Sequence, residues 1–67
     1  MQHWTAVYIK NGEYCCHTVK ANNFDEAEMQ LEAILTPWRI LWLVETADHH
    51  IAITEYETEL EHCSFLS

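Results

Sequence analysis

Seven side chains in this sequence are of types that ligate metals or act as nucleophiles: Cys15, Cys16, His17, His49, His50, His62 and Cys63. Thiolate sulfur and imidazole nitrogen suit zinc, but a structural site needs four ligands at spacings that let them converge. The spacing here matches no finger or ribbon pattern. Cys15 and Cys16 are adjacent, so on an extended strand they project to opposite faces. Buried free thiols are the simpler assignment. A cysteine–histidine dyad through Cys16 or Cys63 would also need an oxyanion-stabilising loop and a cleft. The chain has a single glycine and 67 residues, which leave little room for either. The residues therefore assign no catalytic role, no metal and no cofactor.

A second set is a row of carboxylates. Glu55, Glu57, Glu59 and Glu61 recur at every other position. On a strand all four would lie on one side, about 7 Å apart. Successive phosphates of a nucleic-acid strand have a comparable spacing, so the row would suit a decoy for a basic nucleic-acid groove. The alternative is a solvated edge strand kept from aggregating by its charge. A third set is aromatic: Trp4 and Tyr8 in one strand, Trp38 and Trp42 in another. Aromatic anchors ringed by polar residues are the usual centre of protein interfaces. Trp4, Tyr8, Trp38, Trp42, Glu55, Glu57, Glu59 and Glu61 are thus the candidate partner-binding residues.

Composition narrows the partner. Eleven acidic residues against three basic ones give a formal charge of -8. Direct binding to nucleic acid or to an anionic membrane needs Lys and Arg, so both are excluded. A protein with a basic surface is the complement. No apolar run nears the roughly 20 residues of a membrane span. No signal-peptide pattern opens the chain, and three cysteines form no disulfide framework, which points to a reducing cytoplasm.

These side chains need elements to position them. His3 to Lys10 alternates and is rich in strand formers. Asn11-Gly12 suits a two-residue type I′ turn, and Glu13 to Lys20 returns. This register sets Lys10 opposite Glu13, Val7 opposite Cys16 and Trp4 opposite Val19. Asn23 caps a helix from Phe24 to Leu35, with Glu26 closing a capping box and Phe24, Ala27, Leu31, Ile34 and Leu35 as its apolar stripe. Thr36-Pro37 ends it. Trp38 to about Thr46 is expected as the central strand, with Trp38, Ile40, Trp42 and Val44 on one face. Ile51 to about Glu57 is expected as a fourth strand, although Tyr56, Leu60 and Cys63 also have helical spacing. The outcome is one α+β domain over 1–67, ββαββ: a four-stranded antiparallel sheet with one helix on one face. One helix covers one face only, so a partner, or a second copy in a homodimer, is expected on the other.

The order of an aromatic hairpin with Asn11-Gly12, a helix opening Phe24-Asp25-Glu26-Ala27-Glu28, then Pro37 and a return strand, resembles small phage-encoded host-takeover proteins. It is similar in order to the phage inhibitor of bacterial RNA polymerase, over roughly Trp4 to Glu45. The strong acidity and the segment after Glu45 depart from that pattern, and no binding residue carries over. Acidic anti-CRISPR and other anti-defence inhibitors share the size and charge. What the resemblance implies is an inhibitor that acts by binding; taken with the charge and the absence of catalytic parts, the expectation is a non-enzymatic inhibitor, in the cytoplasm of a host cell, of a nucleic-acid-handling protein with a basic surface.

Overall fold

The computed structural model describes residues 1–66, and side chains through Glu61. Two strands, β1 (Gln2–Lys10) and β2 (Glu13–Ala21), are followed by helix α1 (Phe24–Leu35), strand β3 (Ile40–Val44) and helix α2 (His49–Leu66). The sheet is antiparallel with order β2-β1-β3. The architecture is α+β with three strands and two helices. The four-stranded, one-helix arrangement expected from the sequence is incorrect.

The hairpin forms as its residues dictate. Asn11 and Gly12 adopt φ of 54° and 81°, the left-handed pair that a type I′ turn requires. Lys10 then pairs with Glu13, Val7 with Cys16 and Trp4 with Val19. One face of the hairpin carries Trp4, Ala6, Tyr8 and Val19, and the other carries Thr5, Val7, Cys16 and Thr18.

Helix α1 covers the first of these faces. The Asn23 side chain accepts from the Glu26 amide at 2.8 Å, which caps the helix. The expected return contact from the Glu26 carboxylate is replaced: it accepts from the Asn22 and Gln30 side chains. Ala27, Leu31 and Leu35 are buried. Leu31 and Leu35 close a core with Ala6, against which Tyr8, Val19, Ile40 and Leu43 pack. Phe24 and Ile34, assigned to the same stripe, remain about half exposed.

The expected fourth strand is the first half of α2. Asp48 caps it: Oδ1 accepts from the amides of His50 and Ile51 at 2.8 and 3.3 Å, and its carbonyl accepts from Ala52. Ala52 is buried and Ile53 and Tyr56 are half-buried, a spacing that only a helix can direct at one surface. That surface is the second face of the sheet. Tyr56 meets the Tyr14 ring edge-on, with centroids 5.8 Å apart, and His49 bonds Thr18. The sheet is therefore covered on both faces from within the chain. The bare face from which a partner or homodimer was inferred does not exist.

Trp38–Val44 is also differently placed. Strand β1 is central and β3 is an edge. Trp38 lies outside the strand, its amide bonded to the Leu35 carbonyl. Val7 pairs with Trp42 but Tyr8 with Ile40, so Leu41 is an extra residue and forms a bulge. The bulge turns Ile40 onto the Leu43 side, beside α1, rather than onto the side of Trp42.

Candidate protein-binding surface

The carboxylate row is dispersed. On α2, Glu55 and Glu59 stand one turn apart on one side, and Glu57 and Glu61 one turn apart on another. All four are exposed, as is every described side chain after Tyr56, so this end of the helix is not seated on the sheet. Asp25, Glu28 and Glu32 are likewise exposed on α1. Together the helices hold eight of the eleven acids (Asp25, Glu26, Glu28, Glu32, Glu55, Glu57, Glu59, Glu61) and no Lys or Arg. The three cations, Lys10, Lys20 and Arg39, belong to the hairpin and to the approach to β3.

The aromatic set does not form one surface. Trp4 meets the Phe24 ring edge-on at 6.0 Å, and its Nε1 donates to the Ala21 carbonyl at 3.2 Å. Tyr8 packs against the Ala6–Leu31–Leu35 core. Both are tied to the α1 side. Trp42, paired with Val7, faces the other way and is half-buried, its Nε1 enclosed without a hydrogen-bond partner. Trp38 is exposed, with the Lys10 ammonium 5.7 Å from its ring centre, a distance at which the ring face attracts the cation.

Between α1 and the β3 edge lie two shallow hollows. One, of about 380 Å³, is lined by Glu28, Glu32, Thr36, Trp38, Arg39 and Ile40. The other, of about 300 Å³, is lined by Phe24, Glu28 and Ile40–Leu43. This strip combines apolar side chains with acids, which is the make-up of an interface core and its rim. Phe24, Arg39 and Glu28 were not singled out from sequence. By sequence Phe24 belongs to the helix stripe, and only its partial exposure reveals it.

A polar network joins β1, β2 and α2 on the opposite face. Thr5, which is fully buried, lies 2.6 Å from the Thr46 carbonyl and 2.7 Å from the Thr18 hydroxyl, and Thr18 lies 3.0 Å from His49 Nε2. A carbonyl only accepts, so Thr5 donates to Thr46. Its single proton is then committed, so Thr18 donates to Thr5, and His49 Nε2 donates to Thr18. The Cys16 thiol sits beside the His49 carbonyl, at 3.9 Å. Burial and the neighbouring Cys15 push that thiol above its ordinary range, the reverse of an activated nucleophile.

Among the described residues, no three His, Cys, Asp or Glu side chains converge to hold a metal ion. The His62 and Cys63 side chains lie outside the described residues. No described helix is long and apolar enough to cross a membrane. No protein-family model, no curated protein and no solved structure matches the chain.

Proposed function

We propose that this chain is a non-enzymatic binding protein whose acidic helices engage a basic protein surface, and that it inhibits a nucleic-acid-handling partner by occupying that surface. The observation that carries this is the segregation of charge. Two helices on opposite faces of the sheet hold eight acids and no cation, while the cations sit elsewhere. Such a distribution steers a basic partner toward either helix and repels nucleic acid. Glu57 and Glu61 stand one turn apart on a helix end clear of the sheet, which makes them a pair to reverse without disturbing the packed half of α2.

The test is affinity capture from a bacterial lysate, followed by competition with the captured protein's nucleic-acid ligand. The expected result is a partner released by moderate salt, displaced from nucleic acid by the wild-type chain and not by E57K/E61K. Failure to recover any partner at low salt, or capture unaffected by charge reversal, overturns the proposal.

A further inference from the structure

Helix α2 leaves the sheet at a defined point. It begins beside Thr18, which bonds His49, and its Tyr56 ring meets Tyr14 near the start of β2. It therefore runs toward the Asn11-Gly12 turn, and it continues to Leu66. Ala52, Tyr56 and Leu60 stand four apart, on one side of the helix. Ala52 is buried, Tyr56 half-buried and Leu60 42% exposed. The seated row thus continues where no sheet remains to seat it. The last pair of the β1–β2 ladder that faces α2 is Ile9 with Tyr14, and they are 43% and 49% exposed. Ile9, Tyr14, Tyr56 and Leu60 line an open corner between the end of the hairpin and the inner side of the helix.

This corner is apolar in the middle and acidic at its sides. Glu57 and Glu59 flank the Tyr56–Leu60 row on its two sides, and Glu61 stands one turn beyond Glu57. All three are exposed. Lys10, next to Ile9 in sequence, projects to the other face of the sheet, where its ammonium lies 5.7 Å from the Trp38 ring centre. Apolar anchors inside a charged rim are the make-up of a binding surface. Its charge selects the occupant. A second copy would bring its own glutamates against these, and nucleic acid or an anionic membrane would bring phosphates. We infer that the corner receives an aliphatic side chain of a partner protein, carried on a segment with Lys or Arg on both sides of it. The aliphatic group enters between Ile9, Tyr14 and Leu60, and the cations meet Glu57 and Glu61 on one side and Glu59 on the other. The inference rests on the reading of the partner as a basic protein, and adds where the partner is seated and what it inserts.

The probe is a synthetic peptide with one leucine between two pairs of lysines, compared with a second peptide in which serine replaces the leucine. Both are titrated into the full chain and followed by NMR. The leucine peptide is expected to shift the signals of Ile9, Tyr14, Tyr56 and Leu60, and to bind about tenfold more tightly than the serine peptide. I9T and L60Q change exposed side chains, and far-UV circular dichroism with an unchanged urea midpoint confirms that each variant is folded. Each is expected to erase the preference for leucine and to leave the serine peptide bound as before, whereas E57K/E61K weakens both peptides. No preference for leucine, shifts confined to α1 and β3, or a preference that survives both I9T and L60Q overturns the inference. In the lysate capture, a partner held equally by I9T and L60Q overturns this seat while upholding the basic partner. A leucine preference with no partner recovered upholds the corner and overturns the proposed function.

Discussion

The Thr18 hydroxyl and the His49 ring meet at 3.0 Å and fasten the second strand to the first turn of α2. Thr18 donates its own hydrogen bond to the buried Thr5, which in turn donates to the Thr46 carbonyl. The whole chain of bonds runs one way because it ends on a group that can only accept. Neutral His49 is therefore expected as the Nε2–H tautomer, which nitrogen-15 chemical shifts of the ring report directly. T5V strands the Thr46 carbonyl and is expected to cost about 1–3 kcal/mol in urea unfolding, whereas T5S, which keeps the hydroxyl, costs less.

Asp48 holds the start of α2 through two backbone amides. D48A is expected to destabilise the protein by about 0.5–2 kcal/mol. Because α2 covers the Val7 side of the sheet, loosening its first turn also exposes apolar surface. Increased binding of a hydrophobic dye, alongside the lower urea midpoint, is the expected signature.

Leu31 is fully buried against Ala6 and Leu35, whereas Ile34 on the same helix is half exposed. L31A opens a cavity and is expected to cost about 2–5 kcal/mol. I34A removes a side chain that stays partly in water and is expected to cost well under half as much. Equal losses at the two positions would mean that α1 is rotated from the orientation described.

Cys16 is held above the ordinary thiol range by burial and by Cys15. The thiolate is the reactive form, so alkylation of Cys16 in the folded protein is expected to be slow at neutral pH. The rate should rise only at pH values beyond those at which an unfolded cysteine reacts. Linkage has a matching sign: the folded state holds this proton more tightly, so its contribution to stability is present at neutral pH and is lost as pH climbs through the raised value. Mass-spectrometric mapping of alkylation against pH checks the first statement.

The hairpin and α1 were legible because their signals are local. Asn11-Gly12 fixes the turn, and the turn fixes all nine pairs of the β1–β2 ladder. Asn23 and the Ala27–Leu31–Leu35 spacing fix the first helix. The second helix reads as a strand in sequence because Ile51-Ala52-Ile53-Thr54 is rich in β-branched residues and the glutamates after it repeat with period two. A four-residue period hides inside a two-residue one, since every second position includes every fourth. The Asp48 cap was the overlooked signal. The edge position of β3 is not legible locally, because its pairing with β1 joins residues on either side of β2 and α1. Of the candidate surface, the acidity was plain in the composition. The sorting of Trp4 and Tyr8 away from Trp42 follows from the pairing of β3 with the central β1, and the parting of Ile40 from Trp42 follows from the bulge at Leu41.

That central place gives the molecule a mechanical polarity. A pull applied ahead of Gln2 loads nine pairs with β2 on one flank and four with β3 on the other at the same moment, so nothing yields until both seams shear. A pull applied beyond Glu61 draws first on a helix whose last described side chains are exposed, and it unzips turn by turn toward Tyr56. An unfoldase threading this chain from its front would stall where one threading from the rear would not.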